Sequence, residues 1–505
     1  MEALERLREI DGQAKLVRHI AGVLGWDQET YMPPAAIEER GDQLAFLEAL
    51  AHDKQTSPEI GELLAALGST KENPGGDASL GAVERAYLRV LRRGYDQATK
   101  IPTELVAEMA KATSLSQAAW VKARKENDFP AFAQHLQKML DFNKRIAAYL
   151  DPAKKPYDVL LDNFEEGATE EGIAAVFKPL RDELVALMAK IRSRPQVDDS
   201  ALHRHCPEAA QAEASAYLMK LLSYDLERGR LDKAAHPFTT GIGDDDVRIT
   251  TRYMEDFFPS SAFSTIHEGG HALYELGIDP APGYKRTSLA EAASMAVHES
   301  QSRLWENMVG RSLGFWKNHL PAFKQYLKPS LDDLGLEGFY KAINKVEPSL
   351  IRVEADEVTY SLHVILRFEL EAALMSGKLL VADLPGAWNE GMQKLLGVTP
   401  PSDDKGCLQD IHWSMGAIGY FPSYALGNLY GAQLWDAMKD QGLDPAAAVE
   451  KDELPTILAW LRANVHKPGA MYKPGELIQR VSGKPLDASH FVRYLNQKYA
   501  GVYGF

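Results

Sequence analysis

The chain has 505 residues, 45% of them apolar and 25% charged, a balance that supports a sizeable core and excludes an intrinsically disordered polymer. Its formal net charge of −15 is spread along the sequence rather than gathered in a tail, which argues against a nucleic-acid partner. The two cysteines, Cys206 and Cys407, lie far apart with no Cys-x-x-Cys spacing, which excludes a disulfide framework and a cysteine zinc site and points to a reducing compartment. The N-terminus is charged and amphipathic with no apolar signal core, and no apolar run approaches the roughly 20 residues of a membrane span. The expected location is the cytoplasm, with no membrane partner.

In chain order, apolar residues at three- and four-residue spacing predict helices over Ala36–His52, Leu80–Tyr95, Glu104–Glu126, Phe129–Leu150 and Glu170–Ile191. Gly68–Gly76, Pro152–Pro156 and Ser193–Pro207 read as loops within one body, 1–505, because no linker or repeat separates domains. Between Arg228 and Pro259 the pattern changes. Gly241-Ile242-Gly243 and three aspartates, Asp244 to Asp246, precede the alternating run Val247–Tyr253, the best strand candidate in the chain. Ser260 and Ser261 then sit where they could cap a helix beginning near Phe263.

That helix carries His267-Glu268-Gly269-Gly270-His271. At this spacing both imidazoles project from one helix face, where they can supply two nitrogens to a zinc ion, with Glu268 beside the open position. A catalytic zinc needs a third protein ligand. The metzincin extension is excluded, because its Gly and His positions hold Tyr274 and Gly277. A helical pattern over Leu289–Met308 offers Glu291, Glu299 and Glu306, and spacing alone leaves all three open. Glu299 is favoured because it lies in a polar cluster, His298 to Arg303, within an otherwise apolar stretch; the competing reading pairs Glu299 with a local arginine on a solvated face. Gly269 and Gly270 cost the helix about 2 kcal/mol relative to alanine. A substrate, a neighbouring element or a plain packing constraint must approach closely enough to require them.

Further motifs run the length of the chain: Trp26-Asp27-Gln28-Glu29-Thr30 with Met32-Pro33-Pro34, Tyr157-Asp158 with Leu160-Leu161-Asp162, His236-Pro237-Phe238, and Asp246, Arg248 and Thr250 as D-x-R-x-T. After the histidine motif come His298-Glu299-Ser300-Gln301, then Ile351, Arg352, Ala355 and Asp356 as I-R-x-x-A-D, and the stretch from His412-Trp413 to Gly419-Tyr420-Phe421-Pro422. In this order they resemble the carboxypeptidase Taq family of metal-dependent carboxypeptidases. The resemblance implies a mainly helical, two-lobed homodimeric peptidase with a deep cleft, similar to the angiotensin-converting enzyme and neurolysin type, with a small β element beside the metal helix. It also implies that His267, His271 and Glu299 hold one zinc, or in some members cobalt, which demotes Glu291.

The mechanism expected from these residues makes Glu268 the general base. His412, Tyr420 and Tyr424 are candidate donors to the oxyanion, with core packing as the alternative for such aromatics. A free α-carboxylate on the peptide calls for a guanidinium. Arg352 is the first choice, although Asp356 four residues on could instead hold it in an ion pair; Arg248 is the second, with loop stabilisation as its alternative. His236 could add a hydrogen bond or serve structure. The expected activity is release of C-terminal residues from peptides, against an endo-oligopeptidase on the same scaffold or an inactive helical interaction protein.

Overall fold

A computed structural model describes residues 2–505. The expected helices are present at Ile37–Gln55, Ala82–Lys100, Thr103–Glu126, Phe129–Leu150 and Glu170–Arg192. Phe129–Leu150 shows why: Phe132, Leu136, Met139, Leu140, Asn143, Ala147 and Leu150 fall on one buried stripe, and the Asp128 carboxylate caps the first turn by accepting from Ala131 N. The segments read as loops fall between helices, and Ser193–Pro207 contains one short 3₁₀ turn, Ser200–His203. A continuous buried cluster extends from Trp120 to Tyr503. A smaller one joins the first helix, Glu2–Thr30, to Ala82–Lys100 through Leu7, Ile10, Leu88 and Tyr284. No helix among the described residues is long and apolar enough to cross a membrane.

The β element has three strands, β1 (Leu231–Lys233), β2 (Thr239–Gly243) and β3 (Asp246–Thr251), in the order β1-β3-β2. Strand β1 pairs parallel to β3, whereas β2 pairs antiparallel with a bulge between Gly241 and Gly243. Only β3 carries a clear alternation: Val247 and Ile249 point into a cluster with Met219, Ala272 and Leu276. Strand β1 is too short to show a period, and the two glycines of β2 hide it.

Two expectations need correction. The histidine helix runs Pro259–Glu275, and neither serine caps it. Pro259 occupies the first turn, where a missing N–H is tolerated, while Ser261 Oγ lies 2.7 Å from Gln211 Oε1, to which it donates, and 3.0 Å from Phe258 O. The downstream helix begins at Met295 rather than Leu289 and changes at Leu304–Gly310 into a π-helical turn. Ser294 caps its start by accepting from Val297 N.

Candidate metal centre and substrate site

The histidine helix crosses the glutamate helix, Met295–Arg303, at very short range. A Cβ on Gly270 would lie 2.7 Å from both Gln301 O and Ser302 Cα, and one on Gly269 would lie 2.7 Å from Leu222 Cδ1. Close packing of neighbouring elements therefore accounts for the glycine pair. A third close approach comes from the Pro422–Asp440 helix, where a Cβ on Gly427 would strike Glu299 Cγ at 2.6 Å. Glu299 is thus pressed towards the histidines from behind.

His267 Nε2, His271 Nε2 and Glu299 Oε2 face one another, with Glu299 Oε2 4.0 Å from His267 and 3.5 Å from His271. All three donors lie within 4.8 Å of one another. The opposite ring nitrogens are held from outside. His267 Nδ1 meets Glu306 Oε2 at 2.9 Å; His271 Nδ1 meets His298 Nδ1 at 2.5 Å, and His298 Nε2 meets Glu275 Oε1 at 2.7 Å. Such outer partners fix ring orientation and leave the inner nitrogens as acceptors. Two imidazole nitrogens and one carboxylate oxygen form a donor set suited to a divalent ion such as zinc.

The three candidate glutamates have different fates. Glu299 joins the cage, Glu306 on the π turn supports His267, and Glu291 sits exposed in the connection before the helix. Glu299 also pairs with Arg303 four residues on, at 2.6 Å, but Glu299 is buried and Arg303 largely so, rather than on a solvated face. Burial alone would raise the Glu299 carboxyl; Arg303 and the two imidazoles outweigh it and hold it far below the usual range. Burial, reinforced by His298, lowers His271 to about 3, so its ring is neutral.

Glu268 lies beside the cage, buried, its carboxyl raised by desolvation. Thr239 of β2 donates to its Oε2 at 2.6 Å. His412, Tyr420 and Tyr424 form one aromatic cluster: His412 stacks on Tyr420 at 5.6 Å, the two tyrosines meet edge to face at 5.2 Å, and Tyr424 OH lies 3.5 Å from His412 Nε2. Burial, with Arg367 nearby, lowers His412 to about 3. Burial raises both tyrosines, and the charge of Glu299 adds to the effect.

Arg352 reaches this cluster, with its guanidinium 4.9 Å from the Tyr424 ring. Its partner is not Asp356, whose carboxylate instead accepts from Glu347 N, Val358 N and Thr359. Asp410 takes that place, accepting from Arg352 Nε (3.2 Å) and Nη2 (2.9 Å), while Nη1 donates to Tyr360 OH at 3.0 Å. Arg248 is committed elsewhere: Asp246 accepts from its Nε and Nη2 at 3.0 and 2.8 Å, and its guanidinium lies 4.3 Å over Trp26. His236 is exposed in the connection before β2. Sequence reasoning missed Thr239, Glu275, Tyr360, Arg367 and Asp410; only Arg303, at i+4 from Glu299, carried a readable spacing signal.

The profile of the carboxypeptidase Taq (M32) metallopeptidases matches residues 6–499. Thermostable carboxypeptidase 1 of Thermus thermophilus is 41% identical over 516 residues, with 99% of each chain covered, and carboxypeptidase 1 of Bacillus subtilis is 38% identical over 482 residues, with 95% of each covered. The solved structure of the M32 carboxypeptidase from Deinococcus radiodurans superposes with a TM-score of 0.96 at 37% identity, covering 100% of both chains. The chain belongs to the carboxypeptidase Taq (M32) family and is a metallocarboxypeptidase.

Proposed function

We propose that this metallocarboxypeptidase works with zinc, or cobalt in its place, at His267, His271 and Glu299, and that Glu268 is its general base. The observation that carries the reading is the convergence of both Nε2 atoms on Glu299 Oε2, with each Nδ1 held from behind. When bound, one such ion per chain supplies Lewis acidity that polarises the scissile carbonyl and acidifies a water. Glu268 takes the proton of the attacking water and delivers it to the leaving amine. Burial raises its carboxyl, which brings its proton affinity nearer to that task.

Tyr420 and Tyr424 keep their phenolic protons and serve as donors to the developing oxyanion; His412, neutral, orients them and adds a donor of its own. Arg352 receives the peptide's free carboxylate. Asp410 occupies its Nε–Nη2 edge, and each terminal nitrogen retains one N–H for a second anion. Arg248 is the weaker choice because Trp26 and Asp246 hold it beside the first helix, whereas Arg352 reaches the His412, Tyr420 and Tyr424 cluster. The peptide lies extended along the edge of β2, with His236 contributing at most an outer hydrogen bond. The working molecule is a cytoplasmic homodimer of single catalytic units, in keeping with the family resemblance.

Metal-dependent release of free amino acids from a mixed peptide library tests this reading. Peptides with a free C-terminus should be cut and amide-blocked ones spared; equal rates on both would remove Arg352 from its role. Glu268→Gln should bind metal as the parent does and lose turnover, and retained turnover would exclude Glu268 as the base.

A further inference from the structure

Thr239 is the first residue of β2, and its hydroxyl lies 2.6 Å from Glu268 Oε2 and 3.0 Å from the Glu268 carbonyl oxygen. A hydroxyl has one proton to donate, and the shorter contact, to the carboxylate, is the charge-assisted one. Among the described residues, Thr239 is the only hydrogen-bond donor to that carboxylate.

The backbone that presents Thr239 is fixed on both sides. Phe238 N donates to Thr250 Oγ1 at 2.9 Å, and Thr250 N donates to Phe238 O at 2.9 Å. Thr239 itself pairs in register with Ile249, which is fully buried in the cluster beneath the histidine helix. Two motifs that carried the family resemblance, His236-Pro237-Phe238 and D-x-R-x-T, thus meet in a clamp whose next side chain touches Glu268.

The geometry points to Thr239 as a positioning residue for proton transfer: by occupying Oε2 it fixes the plane of the Glu268 carboxyl and leaves Oε1 to face the reacting water. This rests on the reading of Glu268 as general base. The water's O–H proton passes to Oε1 as its oxygen attacks the carbonyl carbon, and the same proton leaves Oε1 for the amine nitrogen as the C–N bond breaks. While Glu268 is protonated on Oε1, Oε2 is a carbonyl oxygen that still accepts from Thr239. The contact therefore persists in both states, and the carboxyl need not rotate between them.

A purely structural role, cementing β2 to the helix through the carbonyl contact, would affect folding and metal binding without selectively slowing turnover. The full-length chain loaded with one equivalent of zinc separates the two on a free-acid peptide. Thr239→Val, which keeps the shape and removes the donor, should lower kcat about 10- to 100-fold with KM within about twofold of the parent. Thr239→Ala should match it, and Thr239→Ser, which keeps the hydroxyl, should return kcat to within about threefold. Zinc titrated into the metal-free variants should bind with parental affinity. A parental kcat in Thr239→Val, equal losses in the valine and serine variants, or loss of zinc affinity would each overturn the inference. Glu268→Gln is assayed in parallel. If it is inactive while Thr239→Val works as the parent does, only the Thr239 inference fails; if it turns over, the general-base reading fails and takes the inference with it.

Discussion

Two arginines approach Tyr360, Arg303 4.2 Å from the ring centre and Arg352 5.7 Å from it, and the charges around them are disposed in opposite ways. On the cage side, Arg303 and Arg311 are spent on Glu299 and Glu306, and what remains turned inward is a set of acceptors: two imidazole nitrogens and Glu299 Oε2. Around Arg352, Asp410 is shared by Arg352 and Arg367, and Glu371 accepts from Tyr157, Trp413, Gly419 N and, at 3.5 Å, Arg367 Nε. Arg367 is left with Nη1 and Nη2 lacking hydrogen-bond partners, its guanidinium 3.9 Å from both the Trp413 and Phe421 rings. Donors are in surplus here. Tyr360 thus touches both a set of inward-facing acceptors, suited to a cation, and a set of unfilled donors, suited to an anion.

The largest effect should come from breaking the cage itself. Glu299→Ala removes the acceptor on which both imidazoles converge and leaves Arg303 with only its longer contact to Glu306, at 3.4 Å. Metal content measured on the purified protein should fall to background and turnover should drop about a thousandfold or more. Stoichiometric metal in this variant would break the contrast, because it would place the third ligand elsewhere.

The two regions also differ in how far they could be read from sequence. The histidines and Glu268 declare themselves because one helical turn sets their geometry, and β3 shows the strand period that its neighbours lack. The choice among Glu291, Glu299 and Glu306 was not legible from spacing, since the helix begins only at Met295 and its register changes in the π turn that carries Glu306. The Arg352 side was harder still. An i+4 pairing with Asp356 presumes a helix, but Arg352–Glu354 is a single 3₁₀ turn, and the true partner lies 58 residues away in Asp410. Thr239 was hidden for the same reason: a contact across 29 residues, between a glycine-rich strand and a helix, has no periodic signature.

Asp410→Asn tests the anion side. It leaves buried Arg352 without a carboxylate and Arg367 with Glu371 alone, at a cost of about 3 kcal/mol in a denaturant titration. Arg352 and Arg367 hold the Asp410 carboxyl far below its ordinary range, against the opposing effect of burial. A depressed carboxyl stabilises the fold above its unfolded pKa and loses that contribution only as pH falls towards the folded value. The parent and the variant should therefore differ at neutral pH and converge in strong acid. Metal content should be untouched while KM for free-acid peptides rises; loss of metal would show that the two regions are not separable across Tyr360.

Glu306→Gln sharpens the cation side by a smaller step. It keeps the volume and an oxygen for Arg311 but weakens the hold on His267 Nδ1, so zinc affinity should fall about 10- to 100-fold with KM unchanged once the metal is saturating. Unchanged affinity in a competition titration against a chelator would mean that His267 is oriented by packing alone.

The smallest effect is expected at Arg248. Its side chain is 19% exposed and that of its partner Asp246 is 40% exposed, so solvent screens much of the paired charge. The stacking on Trp26 ties β3 to the first helix, the contact with Asp246 holds the guanidinium within the strand, and Arg248→Gln should cost about 1 kcal/mol of stability. Because Arg352 rather than Arg248 reaches the tyrosine cluster, KM for free-acid peptides should stay within about twofold. The comparison with Arg352→Gln is what gives this small number its force. A large rise in KM at position 248 and none at 352 would move recognition of the peptide's end from the Asp410 network to the sheet, and the surplus of donors beyond Tyr360 would then serve the fold rather than the substrate.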